Sequence, residues 1–343
     1  MEYSELGTSK IKISKICLGT MTFGEQNNID EAHDQLDFAI DKGVNFIDTA
    51  EMYPVPPDSK TQGLTESYIG DWIKKRKKRD DIVLATKVTG PSTFMKYIRN
   101  DLSINKDNIE KAIHESLNRL NTDYVDLYQI HWPQRDTNYF GKLGYEQSSK
   151  INDNIEETLE TLNHFIQEGK IRCIGISNET AWGTMRYLEI ARKKNLTNIV
   201  SIQNPYSLLN RVFEIGLSEV SLQENVKLLA YSPLGFGILT GKYQKNPPSD
   251  ARLSIWKQFD RYSNTNSLHA VSKYIDLAKE NNISPTTLAL SFVNDRPFVG
   301  SNIIGATNLK QLAQNIDSIN TKLSKELLNE INKIHNDIPN PAP

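Results

Sequence analysis

The chain is poor in cysteine: its 343 residues contain only Cys17 and Cys173. Both lie inside short apolar runs, which predicts buried small side chains and gives no basis for a disulfide framework. The six histidines form no His-Glu-x-x-His pattern or comparable ligand spacing. We therefore expect a fold that depends on its hydrophobic core, and we expect no metal site.

The familiar nucleotide-binding motifs are also missing. No Gly-x-Gly-x-x-Gly sequence follows the first predicted strand, and the glycine spacing of the segment Gly235–Lys242 fits neither that motif nor a P-loop. The position of this segment is more informative, because it comes directly after the predicted strand Lys227–Tyr231. Exposed backbone amides at such a place could contact a phosphate. No Gly-x-Ser-x-Gly elbow indicates a nucleophilic serine.

Neither charge nor hydrophobicity favours a large polyanionic partner or a membrane. The 42 acidic residues exceed the 40 basic residues by only two, so no global charge attracts nucleic acid or an anionic membrane surface. No apolar run approaches the length of a membrane span, and the N-terminus has no signal-peptide pattern. We expect a cytoplasmic protein whose partner is a small molecule; the oligomeric state stays open.

Short apolar runs alternate with longer stretches of helical period, the pattern of βα units. Eight strands are predicted, at Ile16–Leu18, Asn45–Asp48, Ile82–Lys87, Val125–His131, Cys173–Ser177, Ile199–Asn204, Lys227–Tyr231 and Asn302–Gly305. The helices predicted between them are Asp30–Lys42, Thr65–Lys78, Lys106–Leu120, Asn154–Glu168, Thr180–Asn195, Arg211–Glu224, His269–Asn281 and Leu309–Asn315. Because no linker divides the chain, the sequence predicts one (β/α)₈ TIM barrel domain of the α/β class over residues 1–343.

Two additions to the plain barrel are expected. Residues 3–13 have a period of two around a Gly-Thr-Ser turn, which predicts a β-hairpin that caps one end of the barrel. Three long loops, Tyr53–Gly63, His131–Ile151 and Leu239–Asn266, follow strands and so emerge at the catalytic face. Their aromatic residues either wall a substrate pocket or only pin the loops to the barrel.

Four polar residues carry the chemistry that we predict. Asp48, Lys87 and His131 each end an apolar, strand-like run, and Tyr53 follows Asp48 by five residues. A charged residue at the end of a buried strand is costly unless it is paired or used. Since the carboxyl ends of barrel strands form the catalytic face, we expect the four side chains to converge there.

Together the four residues are suited to proton transfer. A tyrosine hydroxyl has a reference pKa of about 10, and a nearby ammonium favours the phenolate. Lys87 would supply that ammonium, Asp48 would hold Lys87 charged, and His131 would donate to a carbonyl oxygen or complete a relay. Such a group can protonate the oxyanion that forms when a hydride reaches a carbonyl. It supplies no hydride, so the hypothesis requires a cofactor.

These residues and several motifs in fixed order resemble the aldo-keto reductase superfamily over essentially the whole chain. The motifs are Leu18-Gly19-Thr20-Met21-Thr22-Phe23-Gly24, Asp48-Thr49-Ala50-Glu51-Met52-Tyr53, Thr86-Lys87-Val88, Gln129-Ile130-His131-Trp132-Pro133, Gly175-Ile176-Ser177-Asn178, Gln203-Asn204-Pro205-Tyr206, Tyr231-Ser232-Pro233-Leu234 and Ile304-Gly305-Ala306-Thr307-Asn308. The extended loops resemble the branch of bacterial Tas-like NADP(H)-dependent reductases, which also includes potassium channel β subunits.

The resemblance implies an NADP(H)-dependent reductase of aldehydes and ketones, with Tyr53 as proton donor and Asp48, Lys87 and His131 as its helpers. It also implies a cofactor that lies extended across the barrel mouth. The implied cofactor-binding residues, from the nicotinamide to the adenosine end, are Thr20, Met21, Asp48, Ser177, Asn178, Gln203, Tyr231, Ser232, Pro233, Leu234, Gly235, Gly241, Lys242, Arg252, Gly305, Thr307, Gln311 and Asn315.

The chain departs from the family pattern at the adenosine end. Gly305 and Gln311 stand where the short reductases have Lys and Arg, and Gln314 stands where the long-loop branch commonly has Glu. One alternative is an NADP(H)-binding regulatory or assembly subunit with weak turnover, although His131 favours an enzyme. Another is a metal-free barrel lyase or isomerase, which would not need a nicotinamide.

Overall fold

A computed structural model describes residues 1–147 and 154–343. Eight parallel strands close into a barrel in the order β10-β3-β4-β5-β6-β7-β8-β9. The strands are β3 (Ile16–Gly19), β4 (Phe46–Asp48), β5 (Val83–Val88), β6 (Val125–Ile130), β7 (Ile171–Ser177), β8 (Ile199–Pro205), β9 (Lys227–Tyr231) and β10 (Val299–Ile304). Each of the eight predicted strands overlaps one of these, and the predicted (β/α)₈ barrel is confirmed.

The predicted N-terminal hairpin is also present. Its strands are β1 (Tyr3–Glu5) and β2 (Lys12–Ser14), which pair antiparallel with Tyr3 opposite Ser14. Leu6 and Ile13 are fully buried against the apolar interior of the barrel. The hairpin therefore closes the amino ends of the barrel strands, opposite the face where the long loops emerge.

Helices surround the barrel and cover its outer surface. They are α1 (Ile29–Asp41), α2 (Leu64–Arg76), α3 (Lys106–Leu120), α4 (Ile155–Gln167), α5 (Ala181–Lys194), α6 (Leu217–Gln223), α7 (Arg252–Ile255), α8 (Thr265–Glu280), α9 (Pro285–Asn294), α10 (Leu309–Asp317) and α11 (Lys325–Asp337). In α3, for example, Ile109, Ala112, Ile113 and Leu117 form the buried face at helical spacing. Within the described ranges, no helix is long and apolar enough to span a membrane.

Several predicted boundaries were wrong, and capping chemistry explains them. The single helix predicted at Arg211–Glu224 is a 3₁₀ turn, Val212–Glu214, followed by α6, because Gly216 has a positive φ of 87° between them. Helix α8 begins before the predicted His269, since the Asn264 side chain caps its N-terminus at Thr265. Helices α9 and α11 were missed, although Ser284 and Ser324 cap them in the same way.

The predicted long loops are partly correct. Tyr53–Gly63 is a connection without a helix, and α2 begins at Leu64. The last residues of the predicted loop His131–Ile151, from 148 onwards, lie outside the described residues. The predicted loop Leu239–Asn266 contains α7 and runs into α8. A further long connection between β5 and α3, residues 89–105, was not predicted as a long loop.

The two cysteines and the barrel interior follow the strand period of two. Cys17 and Cys173 are buried and unpaired, as predicted. Inside the barrel, Phe46 and Leu127 belong to an apolar layer. The residues two positions further along the same strands are Asp48 and Gln129, so each strand turns from apolar to polar as it approaches the catalytic face.

Helix α2 packs closely on α3 at a glycine, which gives a stability prediction. A Cβ atom at Gly70 would lie 2.1 Å from the carbonyl oxygen of Arg119. Alanine is the better helix former, but here it must push the two backbones apart. We expect Gly70→Ala to lower the free energy of unfolding by about 1–3 kcal/mol in urea titration, the usual cost of overpacking. The exposed neighbour Asp71 serves as control, because Asp71→Ala should change the free energy of unfolding by less than about 0.5 kcal/mol. Equal changes in the free energy of unfolding for the two variants would contradict close packing of α2 on α3 at Gly70.

Candidate active site

A cavity of about 1380 Å³ opens at the carboxyl ends of the barrel strands. Asp48, Tyr53 and His131 line it, and Lys87 lies fully buried beneath them. The predicted cofactor residues that line the cavity are Thr20, Met21, Asp48, Ser177, Asn178, Gln203, Tyr231, Ser232, Pro233, Leu234, Lys242, Arg252, Gly305, Thr307, Gln311 and Asn315. Gly235 and Gly241 do not line it; both have positive φ and shape the loop instead. The structure thus brings the predicted residues together, while their roles stay predictions.

Lys87 and Asp48 form a buried ion pair at the centre of the site. Lys87 Nζ donates to Asp48 Oδ2 and to the carbonyl oxygen of Thr49, both at 2.7 Å. Burial alone would lower the pKa of Lys87, but Asp48 and Tyr53 raise it above its usual value. Lys87 is therefore a fixed cation at neutral pH.

Two glutamine side chains hold the other oxygen of Asp48. Gln203 Nε2 donates to Asp48 Oδ1 at 2.8 Å, and Gln129 Nε2 donates to the same oxygen at 3.1 Å. Gln129 was not predicted as a site residue. One signal for it was available: it stands on β6 two residues before His131, which directly follows that strand. A Cβ at Gly175, on the neighbouring strand, would lie 3.0 Å from Gln129 Cγ, so this glycine leaves room for the side chain.

Tyr53 lies directly beside the lysine. Lys87 Nζ is 5.0 Å from the centroid of the Tyr53 ring. Burial raises the pKa of Tyr53 above its ordinary value, and the charge of Lys87 opposes that rise. The charge of Lys87 acts on the pKa of Tyr53 with the sign that we predicted, but burial outweighs it and the net shift is upward. Tyr53 is therefore protonated at neutral pH and has a proton to give.

His131 faces Tyr53 with an edge-to-face ring contact, the centroids 5.8 Å apart. Burial, with a further contribution from the Lys87 charge, holds the pKa of His131 well below its usual range. The imidazole is therefore neutral, with one nitrogen that donates and one that accepts. Its Nδ1 atom is buried and has no hydrogen-bond partner among the described residues. Because Nδ1 is shielded, a hydrogen bond from His131 to a molecule in the cavity would come from Nε2, and it would add no charge.

The strand ends next to His131 form a polar shelf. Tyr231 donates its hydroxyl to Asn178 Oδ1 at 2.7 Å, and Asn178 Nδ2 donates to the carbonyl oxygen of His131 at 2.9 Å. Ser177 Oγ donates to the Gln203 carbonyl oxygen at 2.8 Å. Asn178 has a positive φ of 53°, a conformation that asparagine tolerates better than most residues. The shelf fixes donors and acceptors along one wall, which suits a flat amide-bearing ring.

Two cations lie over the loop that follows β9. Arg252 and Lys242 both line the cavity, and the guanidinium of Arg252 lies 5.5 Å from the Phe236 ring. Within residues 1–147 and 154–343, neither side chain forms an ion pair or a side-chain hydrogen bond. Burial lowers the pKa of both, and for Lys242 the charge of Arg252 lowers it further. Two partly buried cations that form no ion pair in the described part of the chain suit a ligand that carries phosphate.

The far end of the cavity is formed by α10 and the N-terminus of α9. The Thr307 backbone amide and hydroxyl donate to Gln311 Oε1 at 3.1 and 3.2 Å, and Asn315 Nδ2 donates to the Gly305 carbonyl oxygen at 3.0 Å. A Cβ at Gly305 would meet no atom within 4 Å, so the space above this residue is open. Ser284, which was not predicted, accepts from Gln314 Nε2 at 3.0 Å and also lines the cavity.

The opposite wall of the cavity is apolar and was largely missed. Met52, Met95, Leu102 and Trp132 form a small buried cluster with Tyr53 packed against it. Met95 and Leu102 belong to the unpredicted connection of residues 89–105. Trp132 and Tyr139 come from the long loop after β6 and line the cavity. Aromatic residues of that loop therefore form part of the wall, in agreement with the first of the two roles that we considered.

Comparison with known proteins gives the class. Residues 15–336 match the sequence profile described as the Aldo/keto reductase family. The chain is 51% identical to Protein tas of Escherichia coli, with the full length of both chains aligned. It is 33% identical to the uncharacterized oxidoreductase YrpG of Bacillus subtilis over 97% of this chain and 96% of that protein. Identity to a probable voltage-gated potassium channel subunit beta of Arabidopsis thaliana is 30%, over 93% and 91% of the two chains.

The chain therefore belongs to the aldo/keto reductase family, and it is an oxidoreductase. Members of this family use nicotinamide cofactors, generally NADP(H). The cavity fits such a cofactor, because the polar shelf lies beside His131 and because Lys242 and Arg252, which have no ion-pair partner among the described residues, line it after β9. The described part of the chain holds no group of three or more His, Cys, Asp or Glu residues placed to bind a metal ion.

The buried ion pair gives a prediction for stability. Lys87→Met removes the cation at similar volume and leaves Asp48 with only neutral amide donors. We expect the free energy of unfolding to fall by roughly 3–5 kcal/mol, the cost of breaking a buried pair from one side. Urea denaturation followed by circular dichroism measures it. Lys333→Met is the control, because Lys333 pairs with Glu330 at 2.6 Å on the surface and should contribute little. Similar losses of unfolding free energy in the two variants would contradict the conclusion that burial makes the Lys87–Asp48 pair important for stability.

Proposed function

We propose that the protein reduces aldehydes and ketones to alcohols with NADPH, and that Tyr53 gives the proton. The observation that carries this proposal is the placement of Lys87. Its buried ammonium lies between the carboxylate of Asp48 and the ring of Tyr53, below a large cavity. A tyrosine paired with a fixed cation, next to a neutral histidine, is arranged for acid catalysis at a carbonyl oxygen.

A nicotinamide held beside Asn178 and Gln203 would supply the hydride for the carbonyl carbon. Tyr53 then protonates the oxygen on which negative charge develops. Lys87 stabilises the phenolate that remains, and Asp48 keeps the lysine charged and in place. Because the pKa of Tyr53 is raised by burial, the charge of Lys87 is needed to make the hydroxyl a usable acid.

His131 orients the substrate in this proposal. Its imidazole is held neutral, and its ring lies against the edge of Tyr53. A neutral imidazole can donate to the carbonyl oxygen without competing for the proton that Tyr53 gives. Carbonyl substrates would therefore bind with the oxygen between the Tyr53 hydroxyl and the His131 ring.

The polar shelf and the two cations support the placement of the cofactor. Ser177, Asn178 and Gln203 would bond the nicotinamide amide, and Tyr231 would stack on its ring. Residues 232–242 would wrap the pyrophosphate, and the end formed by α9 and α10 would hold the adenosine. Arg252 would contact the 2′-phosphate, which favours NADPH over NADH. One domain over residues 1–343 and a cytoplasmic location also stay predictions.

Tyr53→Phe tests the acid. The change keeps the ring against His131 but removes the proton that the alkoxide needs. We expect turnover of an aldehyde to fall by at least about 10²-fold, in the usual range for general acid catalysis, with little change in NADPH affinity. NADPH consumption measures the turnover, and quenching of protein fluorescence measures the affinity. Near-normal reduction by the variant would rule out Tyr53 as the donor.

Arg252→Ala tests the cofactor phosphate. If Arg252 contacts the 2′-phosphate, NADPH binding should weaken by roughly 1.5–3 kcal/mol, the scale of a hydrogen bond to a charged group, and NADH binding much less. Lys257→Ala, an exposed cation further along the same loop, is the control and should leave both affinities unchanged. Equal weakening of both cofactors would place Arg252 at the pyrophosphate, and no effect would remove it from the site.

A further inference from the structure

A second buried carboxylate lies three residues after Asp48 and two before Tyr53. Glu51 is fully buried, and its two oxygens accept a pair of hydrogen bonds from Arg99, at 2.6 and 2.7 Å. Glu51 Oε1 also accepts the backbone amide of Thr89 at 2.6 Å. The Arg99 side chain is only 8% exposed, so this pair is shielded from water. Neither residue has a part in the proton transfer proposed above.

The backbone of Glu51 is fixed as firmly as its side chain. Its amide donates to the carbonyl oxygen of Lys87 at 3.2 Å, and Gln62 Nε2 donates to its carbonyl oxygen at 2.7 Å. Glu51 is thus bonded to Lys87 and to Thr89, the residues on either side of Val88. These bonds join the turn that carries Tyr53 to the end of β5. Besides Arg99, the Thr89 amide holds its carboxylate at the end of β5.

Arg99 belongs to a segment whose other hydrogen bonds to the rest of the protein lie near its ends. Trp132 Nε1 donates to the Pro91 carbonyl oxygen at 3.0 Å, and the Ile104 amide donates to Gln134 Oε1 at 2.7 Å. Residues 89–105 connect β5 to α3 without a helix or strand. This connection nevertheless supplies Met95 and Leu102 to the apolar cluster with Met52 and Trp132, next to Tyr53. Met95 and Leu102 stand on either side of Arg99 in the sequence. A guanidinium that forms two parallel hydrogen bonds fixes both distance and orientation, so Arg99 can hold the two apolar side chains against the rigid turn.

We propose that the Arg99–Glu51 pair is a positioning element that sets the apolar wall of the substrate pocket. The wall favours carbonyl compounds that carry a ring or an extended alkyl group over short ones. This inference rests on the proposed carbonyl reduction and adds the determinant of substrate choice. Arg99 and Glu51 act through Met95 and Leu102 and do not touch the reacting atoms.

The pair can be removed without leaving a buried charge. In the double variant Glu51→Gln, Arg99→Met the glutamine oxygen still accepts the Thr89 amide, while the link to the loop is lost. Arg99→Lys is a milder variant, since it keeps the charge but not the paired hydrogen bonds. The matched control is Glu66→Gln, Arg119→Met. It removes another Glu–Arg pair, in which Arg119 Nε lies 2.7 Å from Oε2 of the buried Glu66. This pair joins α2 to α3 and forms no hydrogen bond to the loop.

Steady-state kinetics with benzaldehyde and propanal, each with NADPH, test the substrate choice. In the Glu51→Gln, Arg99→Met variant we expect KM for benzaldehyde to rise about tenfold or more, the scale on which apolar pocket contacts discriminate. KM for propanal and the NADPH affinity should stay within about twofold of wild type. Arg99→Lys should give an intermediate KM for benzaldehyde. The control double variant should preserve the ratio of the two KM values, even if its thermal stability falls.

Hydrogen exchange read by mass spectrometry tests the positioning separately from activity. Amides of residues 90–104 should exchange faster in the Glu51→Gln, Arg99→Met variant than in wild type or in the control. Unchanged exchange in that segment would overturn the proposal, and so would equal changes in KM for the two aldehydes. A wild-type protein that reduced neither aldehyde would overturn the proposed function, while the exchange comparison would still decide whether the pair holds the loop.

Discussion

The ammonium of Lys87 is fully buried inside the barrel, and the carboxylate of Asp48 neutralises it at 2.7 Å. A charge in this position is stable only when its partners are fixed, because desolvation of two ions costs several kcal/mol each. Gln129 and Gln203 supply that fixation from two further strands. The polar layer at the mouth of the barrel is therefore one connected network, and Tyr53 and His131 lie directly above it.

Buried carboxylates recur at the rim of the barrel, each next to a residue of the site. Glu51 lies two residues before Tyr53 and accepts hydrogen bonds from Arg99, which belongs to the loop after β5. Glu179 follows Asn178 and accepts hydrogen bonds from Arg135, which belongs to the loop after β6. In both cases the anion lies two or three residues after the end of a barrel strand, and the cation lies on a long connection. In both places a bidentate arginine–glutamate pair, shielded from water, joins a loop of the cavity wall to the segment that carries a candidate site residue.

Much of the fold could be predicted from the sequence because the βα pattern is local. Runs such as Val125–Ile130 are buried throughout and mostly apolar, as expected of strands covered on both faces. Polar residues at the strand ends, including Asp48 and Lys87, identified the end of the barrel at which the cavity opens. Boundaries that depend on single caps were less accessible, as the break at Gly216 and the missed helices α9 and α11 show. The role of Gln129 also escaped prediction, because a glutamine in a strand has many uses.

The sequence by itself determined the barrel, the end at which the site lies and the family to which the chain belongs. Tertiary structure decided how the residues act on one another. Proximity of Lys87 predicts a more acidic Tyr53, yet burial of the phenol outweighs the charge and raises its pKa. Arg99 and Glu51 are separated by 47 intervening residues, and only the closed fold brings them together. The physical reason is the same in both cases: desolvation and long-range pairing depend on the atoms packed around a group, and no local pattern of residues specifies them.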